Sequence, residues 1–447
     1  MKKLVLGAAL ILAAVVTAVP LAAGTQPNIR DSTHVAVTNA HGNRVVGYFI
    51  EWGIYGRGYR VKDVATSGSA AKLTAINYAF GNVAPDGAGG VACKLGDEWA
   101  DYQVPWSAEQ SVTGTEITWP RRILGNFQQL QALKERYPNV KVLISLGGWT
   151  WSRYFSDAAL TPESRERFVA SCIDLFIKGN LPDPGWGGMG GPGAAAGVFD
   201  GIDIDWEWPG SDGNVGNVIR PEDKHNFTLL LAEFRRQLDA YGATAGKSYL
   251  LSAFLPAAPA KIDAGFEANR IFDSLDWGTV QGYDLHGAWE TSTNHQSNLR
   301  STKHDPAEPQ FSVDDTVQAY LARGAPRDEL VVGVPFYSRG WTGVGSTNNG
   351  LYQSSSGAAP GTWEAGVDDY EVVKTRLGQG YARYRDGNAK AAWLFDGTTF
   401  WTFDDPAIML EKAHYARREN LGGIMFWELS GDTPDGELIG AIAEGLG

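Results

Sequence analysis

The sequence DGIDIDWEWP, at residues 200–209, places four acidic side chains within eight positions. Side chains alternate between the two faces of an extended strand, so the acids Asp203, Asp205 and Glu207 share one face and apolar side chains share the other. Acids stacked on one face of an apolar strand are costly unless they are hydrogen-bonded or catalytic. A calcium loop would need Gly and turn-forming spacing between the acids, and a solvated edge strand would not carry Ile and Trp on its other face. We therefore interpret these acids as a catalytic group.

The composition is that of a large globular protein whose partner is not an anionic polymer. Its 447 residues suffice for a large barrel domain and a smaller one, and 43% of them are hydrophobic. The formal net charge of −13 disfavours nucleic acid and anionic membranes as partners. The seven His are scattered without ligand spacing, so we expect no metal site and no cofactor. We also expect a monomer.

Residues 1–24 have the pattern of a secretory signal peptide. Lys2 and Lys3 precede an apolar run over residues 4–19, and small residues follow at 22–23. An uncleaved membrane anchor is the alternative, although the apolar run is short for a span and Pro20 interrupts it. We expect a secreted, extracellular protein with no membrane contact after cleavage, and a flexible N-terminal segment over residues 25–43.

From residue 44 onwards, strand-like apolar runs alternate with helix-like runs. The alternation predicts an α/β protein with a parallel sheet, and eight repeats predict a closed (β/α)8 TIM barrel. The predicted strands cover residues 44–49, 75–80, 141–145, 199–205, 249–255, 277–283, 330–334 and 422–427. Because Asp200 has the parity of the outer face, we expect it to support its strand rather than to catalyse.

Two intervals depart from this alternation. Residues 341–401 are too long and too aromatic for a loop, so we predict a small α+β insertion domain between strands seven and eight. The barrel would then comprise residues 44–340 and be completed by residues 402–447. Residues 182–197 are rich in Gly, but they precede a strand, whereas a phosphate-binding loop follows one and opens a helix. We interpret them as a flexible insertion.

The two cysteines, Cys93 and Cys172, leave two possibilities open. Export would permit a disulfide, which would close a long loop. A buried free thiol at Cys172, within a helical run, is the alternative.

Barrel enzymes place their sites at the carboxyl ends of the strands. In this chain those ends carry aromatic side chains, carboxylates, a phenol and an arginine, a set typical of a carbohydrate groove. The residues concerned are Tyr48, Glu51, Trp52, Tyr78, Phe80, Trp149, Glu207, Gln281, Tyr283, Asp284, Tyr337, Arg339 and Trp427. Tyr78 and Phe80 are also compatible with a place in the barrel core.

Four motifs, in this order along the chain, resemble glycoside hydrolase family 18, the chitinases. The motifs are Ser145-Leu146-Gly147-Gly148 (SxGG), the acids of residues 200–207 (DxxDxDxE), Gly282-Tyr283-Asp284 (YD), and the runs PFYSRGW at 335–341 and GTWE at 361–364. The last two runs resemble the bacterial subfamily that carries a chitinase insertion domain. The resemblance covers essentially the whole mature chain and implies chitin and chito-oligosaccharides as substrates.

The resemblance implies a retaining mechanism in which the substrate's own 2-acetamido carbonyl is the nucleophile. Glu207 would be the general acid and base, and would need a raised pKa. Asp205 would orient the acetamido N–H, and Tyr283 would hydrogen-bond the acetamido oxygen. Asp203 would share charge or a proton with Asp205, with a purely structural role as the alternative. Strand spacing alone would also fit an inverting pair with water between Asp205 and Glu207.

Sugar-binding roles around these acids are implied in the same way. Trp427 would form the floor of the subsite for the reacting sugar. Trp149 and Trp289 would stack sugars on the leaving side, and Trp52 and Trp363 would stack those on the far side. The other implied contacts are Tyr48, Phe80, Gly148, Gln281, Asp284, Tyr337, Arg339 and Glu364. The family usually has Met where Gln281 stands, which leaves the detail of that contact open.

Two other functions fit parts of this pattern. A chitin-binding lectin on the same fold would be expected to lack the terminal acid, and Glu207 is present. An endo-β-N-acetylglucosaminidase would share the acid run. The insertion around Trp363 disfavours this second enzyme, because the insertion would form one side of a deep groove suited to a linear polymer.

Overall fold

The computed structural model describes residues 37–447. The predicted signal peptide and residues 25–36 of the predicted flexible segment lie outside the described residues. None of the helices in the described part combines the length and the apolar character that a bilayer span requires.

Eight parallel strands close a central barrel. In the described residues the strands are β1 (Arg44–Ile50), β2 (Ala75–Pro85), β3 (Val91–Lys94), β4 (Lys141–Gly147), β5 (Gly201–Asp205), β6 (Leu250–Leu255), β7 (Trp277–Val280), β8 (Leu330–Pro335), β9 (Tyr337–Thr342), β10 (Gly357–Ala358), β11 (Val367–Asp369), β12 (Ala382–Asp386), β13 (Ala391–Phe395), β14 (Thr399–Phe403) and β15 (Gly423–Trp427). The barrel order is β1-β15-β8-β7-β6-β5-β4-β2, and β1 pairs with β2 to close it. The predicted (β/α)8 TIM barrel is confirmed.

Helices lie between the barrel strands, as the alternation predicts. They are α1 (Val61–Thr66), α2 (Gly125–Arg136), α3 (Gly148–Trp151), α4 (Phe155–Ala159), α5 (Pro162–Cys172), α6 (Asp223–Ala245), α7 (Pro259–Gly265), α8 (Val313–Ala322), α9 (Tyr370–Thr375), α10 (Pro406–Arg418) and α11 (Glu437–Leu446). Thr161, Ser312 and Asp405 cap α5, α8 and α10, because their side chains accept hydrogen bonds from amides of the first turn.

A second, antiparallel sheet lies between β8 and β15 in the sequence. Its order is β10-β9-β14-β13-β12, and β11 pairs with β9. Trp341, Trp393 and Phe400 form part of a separate small core there. The prediction that Tyr337 and Arg339 end the seventh barrel strand is wrong. Pro335 ends β8, and both residues lie on β9, which leaves the barrel to pair with β11 and β14.

Residues 182–197 are packed against the barrel. The Gly190 amide donates to the Arg122 carbonyl at 2.8 Å, and Met189 is only 2% exposed. A Cβ at Gly190 would lie 1.9 Å from the Pro182 carbonyl oxygen, so the backbone approach requires Gly. Gly at position 190 therefore serves close packing, and the flexibility expected of residues 182–197 stays a prediction.

Cys93 on β3 is bonded to Cys172 at the end of α5. The disulfide links the β2–β3 hairpin to the helical layer. Of the two possibilities that the sequence leaves open, the structure therefore has the disulfide and not the free thiol at Cys172.

Removing this disulfide is expected to destabilise the protein. The two cysteines are 79 residues apart, and opening a loop of that length lowers the free energy of unfolding by about 4 kcal/mol. Urea unfolding of the double variant Cys93→Ser/Cys172→Ser measures the loss, with each single variant as a control. An unchanged unfolding midpoint would contradict a stabilising role for the bond.

Candidate active site

Asp203 lies on β5 inside the barrel, where hydroxyl groups from β4, β6 and, across the barrel, β1 hold it. The Tyr48 and Ser145 hydroxyls donate to its Oδ2 at 2.7 and 2.8 Å, and the Ser252 hydroxyl donates to its Oδ1 at 2.5 Å. Ser145 and Ser252 are its register partners on β4 and β6. Burial raises the pKa of Asp203, and these hydrogen bonds oppose that rise. Tyr48 is 1% exposed, so its hydroxyl serves Asp203 beneath the mouth of the barrel.

Asp205 ends β5 and is 4% exposed. Its buried Oδ1 atom accepts no hydrogen bond from any residue in the described part of the chain. Burial, followed by the charges of Glu207 and Asp203, raises the pKa of this carboxyl well above its usual range. A buried carboxyl oxygen without a donor costs free energy, so this atom is suited to a proton or to an incoming N–H group.

Glu207 lies two residues beyond the end of β5. The prediction that it lies on the same strand as Asp203 and Asp205 is therefore wrong. Its backbone is held on both sides: its amide donates to the Ser152 hydroxyl and its carbonyl accepts from the Asn217 side chain, each at 2.8 Å. Burial raises the pKa of the Glu207 carboxyl to about 8, and the charge of Asp284 adds to the rise. The carboxyl therefore keeps its proton at neutral pH.

The other face of this run packs outwards, as its parity predicts. The Trp206 ring stacks on Phe155 at 5.4 Å between centroids and meets the edge of Phe227 at 5.8 Å. The Asp200 carboxylate accepts a 2.9 Å hydrogen bond from the Val142 amide and pairs with Lys134 at 2.7 Å. Asp200 thus supports the junction of β4 and β5 and does not face the other acids.

A second cluster of polar groups follows β7. Asp284 accepts a 2.6 Å hydrogen bond from the Tyr337 hydroxyl and a two-pronged bond from Arg339, both at 2.8 Å. The Arg339 guanidinium lies 5.1 Å from the centroid of the Trp289 ring and 3.6 Å from Glu364. Arg339 therefore contacts both Asp284, whose charge raises the pKa of Glu207, and the exposed ring of Trp289.

Tyr283 is buried near the acids and packs against two aromatic rings. Its ring stacks on Phe254 at 5.9 Å and meets Tyr337 at 6.1 Å. Burial, with Tyr337 and then Asp205 and Glu207 adding to it, raises the pKa of its hydroxyl well above the usual range. The hydroxyl stays protonated and remains a donor. Nearby, the Gln281 side-chain oxygen accepts a 3.2 Å hydrogen bond from the Ala257 amide.

Trp427 ends β15 and forms the centre of an aromatic floor. Its ring lies 5.1 Å from Tyr48 and stacks on Phe80 at 5.7 Å, and Phe80 in turn stacks on Trp52 at 6.1 Å. Gly148 has φ +68°, and a Cβ there would lie 2.7 Å from the Phe80 ring. Gly at this position therefore permits the floor to close up.

Four of the predicted sugar platforms present open ring surface. They are 40–59% exposed: Trp52, Trp149, Trp289 and Trp363. Trp363 is held from below, because its indole N–H donates to Asp369 at 2.8 Å and the Arg57 guanidinium lies 4.7 Å from its ring centroid. Arg57 and Asp369 were not among the predicted site residues, because they are 312 residues apart and carry no local signal.

Three further tryptophans, which were not predicted as site residues, form an outer tryptophan row: Trp99, Trp119 and Trp186. These rings are 37–44% exposed, and their centroids lie 6.5 Å and 5.7 Å apart in turn. Trp186 belongs to the Gly-rich segment, and a Cβ at Gly187 would lie 2.9 Å from the Trp119 ring. The packing of that segment is what brings Trp186 to the row.

Within residues 37–447 no three side chains of the ligand-forming types gather as a metal site would require. The arrangement provides a protonated acid, a buried carboxyl that lacks a donor, and aromatic plates around both. Such a set suits acid-assisted cleavage of a glycosidic bond.

Comparisons with known proteins agree with this chemistry. The model of the family described as glycosyl hydrolases family 18 matches residues 44–432. Chitinase 63 of Streptomyces plicatus is 39% identical over 407 residues, which are 90% of this chain and 60% of that protein. Chitinase A1 of Niallia circulans is 38% identical over 428 residues, 87% of this chain and 56% of that protein. The chain thus spans less than two thirds of the length of these curated relatives.

Solved structures give the same picture. The catalytic domain of psychrophilic chitinase B from Arthrobacter TAD20 superposes with a TM-score of 0.86 at 47% identity, covering 91% of this chain and 95% of that one. An N-acetylglucosaminidase of the same family, from Paenibacillus barengoltzii, superposes with a TM-score of 0.68 at 30% identity, covering 90% and 99%. With motifs, barrel, acid arrangement and relatives in agreement, the chain belongs to glycoside hydrolase family 18.

Proposed function

We propose that this chain is a chitinase that hydrolyses β-1,4 bonds of chitin and chito-oligosaccharides with retention of anomeric configuration. The observation that carries the proposal is the pair formed by Asp205 and Glu207. One carboxyl is buried with an oxygen that lacks a donor, and the other has a pKa of about 8. A 2-acetamido sugar supplies what both need, namely an N–H group and a basic glycosidic oxygen.

In the first step the Glu207 carboxyl donates its proton to the glycosidic oxygen as the bond to the anomeric carbon breaks. The acetamido carbonyl oxygen attacks the same carbon and closes an oxazolinium ring. Asp205 accepts the acetamido N–H and stabilises the positive charge that develops there. The Tyr283 hydroxyl donates to the carbonyl oxygen and holds it in line for attack.

In the second step the Glu207 carboxylate takes a proton from water, and the hydroxide attacks the anomeric carbon from the face that the leaving group vacated. The ring opens, Glu207 is protonated again, and the product keeps its original configuration. Because burial raises the pKa of Asp205, this carboxyl must lose its proton before it can carry negative charge. Asp203, fixed by its three hydroxyl donors, would take that proton as the acetamido N–H arrives. We assign Asp203 to support rather than to contact with the sugar.

The aromatic residues divide into a floor and platforms in this proposal. Trp427 would underlie the reacting sugar, with Phe80 and Tyr48 beneath it. Trp149 and Trp289 would receive the leaving side of the polymer, and Trp52 and Trp363 the other side. The polar contacts beside them would be Gly148, Gln281, Asp284, Tyr337, Arg339 and Glu364.

Comparing substrates tests this proposal against its alternatives. We expect release of products from chitotetraose and no cleavage of a high-mannose glycoprotein. Cleavage of the glycoprotein alone would favour an endo-β-N-acetylglucosaminidase, and binding of chitotetraose without turnover would favour a lectin.

We further propose that the protein is secreted, because its N-terminal residues have the pattern of a signal peptide, and that it acts as a monomer. Its retention time on size-exclusion chromatography checks the oligomeric state.

The outer tryptophan row would extend the contact surface for an insoluble polymer, because flat rings in a row present apolar plates to sugar faces. Replacing Trp99, Trp119 and Trp186 by Ala is expected to weaken adsorption to insoluble chitin about tenfold, a loss of about 1.4 kcal/mol. Turnover of soluble chitotetraose should change much less. Pull-down isotherms measure the first quantity and kinetics the second. Equal losses on both substrates would contradict a role in polymer capture.

A further inference from the structure

Glu51 and Asp101 form a buried acid pair that the proposed reaction does not use. Glu51 begins the short helical turn Glu51–Ile54 after β1 and is 2% exposed, and Asp101 lies in the turn Trp99–Gln103 and is 1% exposed. The two carboxyl groups lie within hydrogen-bonding reach of each other. Carboxylates are acceptors only, so a hydrogen bond between these two groups requires a proton.

The neighbours of the pair favour this proton. The Tyr78 hydroxyl donates to Asp101 Oδ1 at 2.6 Å, and the Asn126 amide donates to that hydroxyl at 3.1 Å. Glu51 Oε2 is buried and accepts no hydrogen bond from the described residues. The third charged group that faces the pair is Asp97, whose negative charge opposes ionisation of both acids. In such surroundings the ionisation of both neighbouring carboxyl groups would cost much free energy, because their negative charges repel each other.

The pair joins two segments that carry exposed tryptophans. Glu51 precedes Trp52, and Asp101 follows Trp99 by two residues, each of these rings being 40% exposed. The fit is close, since a Cβ at Gly96 would lie 2.3 Å from Glu51 Oε1. A second bridge joins the same segments where the Tyr55 hydroxyl donates to Asp97 at 2.6 Å.

We propose that Glu51 and Asp101 share one proton, donated from Glu51 Oε2 to the Asp101 carboxylate, and that this bond holds the turn bearing Trp99 against the segment bearing Trp52. Both acids are then positioning residues for Trp52 and Trp99, the exposed rings that would meet the polymer, a role that rests on the proposed function. The sharing of the proton does not rest on it. Burial and the neighbouring acids raise the pKa of Glu51 to about 11, and burial raises that of Asp101 to about 7. The shared proton therefore persists through neutral pH and is lost in alkaline solution, where repulsion between the two carboxylates would loosen the contact between the segments that bear Trp52 and Trp99.

The variant Glu51→Gln tests this proposal, because its side-chain amide can donate to Asp101 at every pH. We would compare it with the parent in a Glu207→Gln background, which removes the titration of the catalytic acid. The parent is expected to show an infrared carbonyl band of a buried carboxylic acid that Glu51→Gln lacks. Its thermal midpoint should fall between pH 7 and about pH 11, and the fall should be much smaller in Glu51→Gln. Glu51→Ala should be less stable at every pH, and the exposed Glu135→Gln should behave like the parent.

The affinity for chitohexaose shows whether the acid pair positions the segments that bear Trp52 and Trp99. This affinity should be constant while the folded pair holds its proton, fall in the parent only as the pH approaches 11, and stay constant in Glu51→Gln. An unchanged infrared band, or an equal fall of the midpoint in parent and Glu51→Gln, would overturn the proposal. If the band and the midpoint behave as expected while chitohexaose is not bound at any pH, the shared proton stands and the proposed function fails.

Discussion

Replacing Glu207 by Gln is expected to lower kcat on chitotetraose by about 10²- to 10⁴-fold while chito-oligosaccharide binding survives. The Gln side chain has a similar shape but no proton to donate to the glycosidic oxygen. Ser152 and Asn217 hold the backbone at this position and not the carboxyl, so the local geometry should persist. Steady-state kinetics and calorimetric binding measure the two quantities, with Glu135→Gln on the exposed side of α2 as the matched control. Turnover close to that of the native protein would refute the assignment of the acid.

The raised pKa of Glu207 adds a pH dependence to this prediction. Since the acid must be protonated to act, kcat/KM of the native enzyme should be flat on approach to pH 8 and fall about tenfold per pH unit above it. Stability shifts in the same range, because a raised pKa means that the folded state loses stability as pH rises from the ordinary value of 4.5 to about 8. Gln cannot ionise, so the thermal midpoint of Glu207→Gln should exceed that of the native protein at pH 8 and match it at pH 4.5.

Replacing Asp205 by Asn is expected to lower kcat by about 10²- to 10³-fold, with a much smaller change in KM. The Asn oxygen can still accept the acetamido N–H, but the variant lacks the negative charge that stabilises the oxazolinium ion. The effect should therefore appear mainly in the transition state rather than in the bound substrate.

Asp200→Asn is the matched control for this variant. Asp200 belongs to the same acid run, but its carboxylate faces Val142 and Lys134 on the outside of the barrel. We expect this variant to lose some stability and to keep its turnover. Equal losses of kcat at positions 200 and 205 would show that the run acts through strand structure and would contradict a catalytic role for Asp205.

The parts of the fold that follow from local pattern could be predicted from the sequence. Alternation of strand-like and helix-like runs predicts the barrel, and strand parity predicts that Asp203 and Asp205 face inwards while Trp206 and Asp200 do not. These features depend on residues that are neighbours along the chain, where backbone geometry fixes which side chains share a face. The resemblance to a known family then supplied roles that parity alone could not.

The contacts that tune the site could not be predicted, because they join residues far apart in the sequence. Ser252 bonds Asp203 across 49 positions, and Tyr48 does so across 155. Arg57 reaches Trp363 from the turn that follows residues 51–54, and Asp369 reaches it from β11 of the second sheet. The acid pair of Glu51 and Asp101 depends on how two turns pack together. Such contacts are set by the register of the barrel and by turn packing, which a single sequence does not display.

The anomeric configuration of the first product from chitotetraose shows whether the substrate's acetamido group takes part in the reaction. Participation of the acetamido group forms the new bond in two inversions, so proton NMR taken within the first turnovers should show the β-anomer. Oligomers without the N-acetyl group should not be cut. An α-anomer as first product would require water to attack directly, and the account of Asp205 and Tyr283 given above would then be wrong.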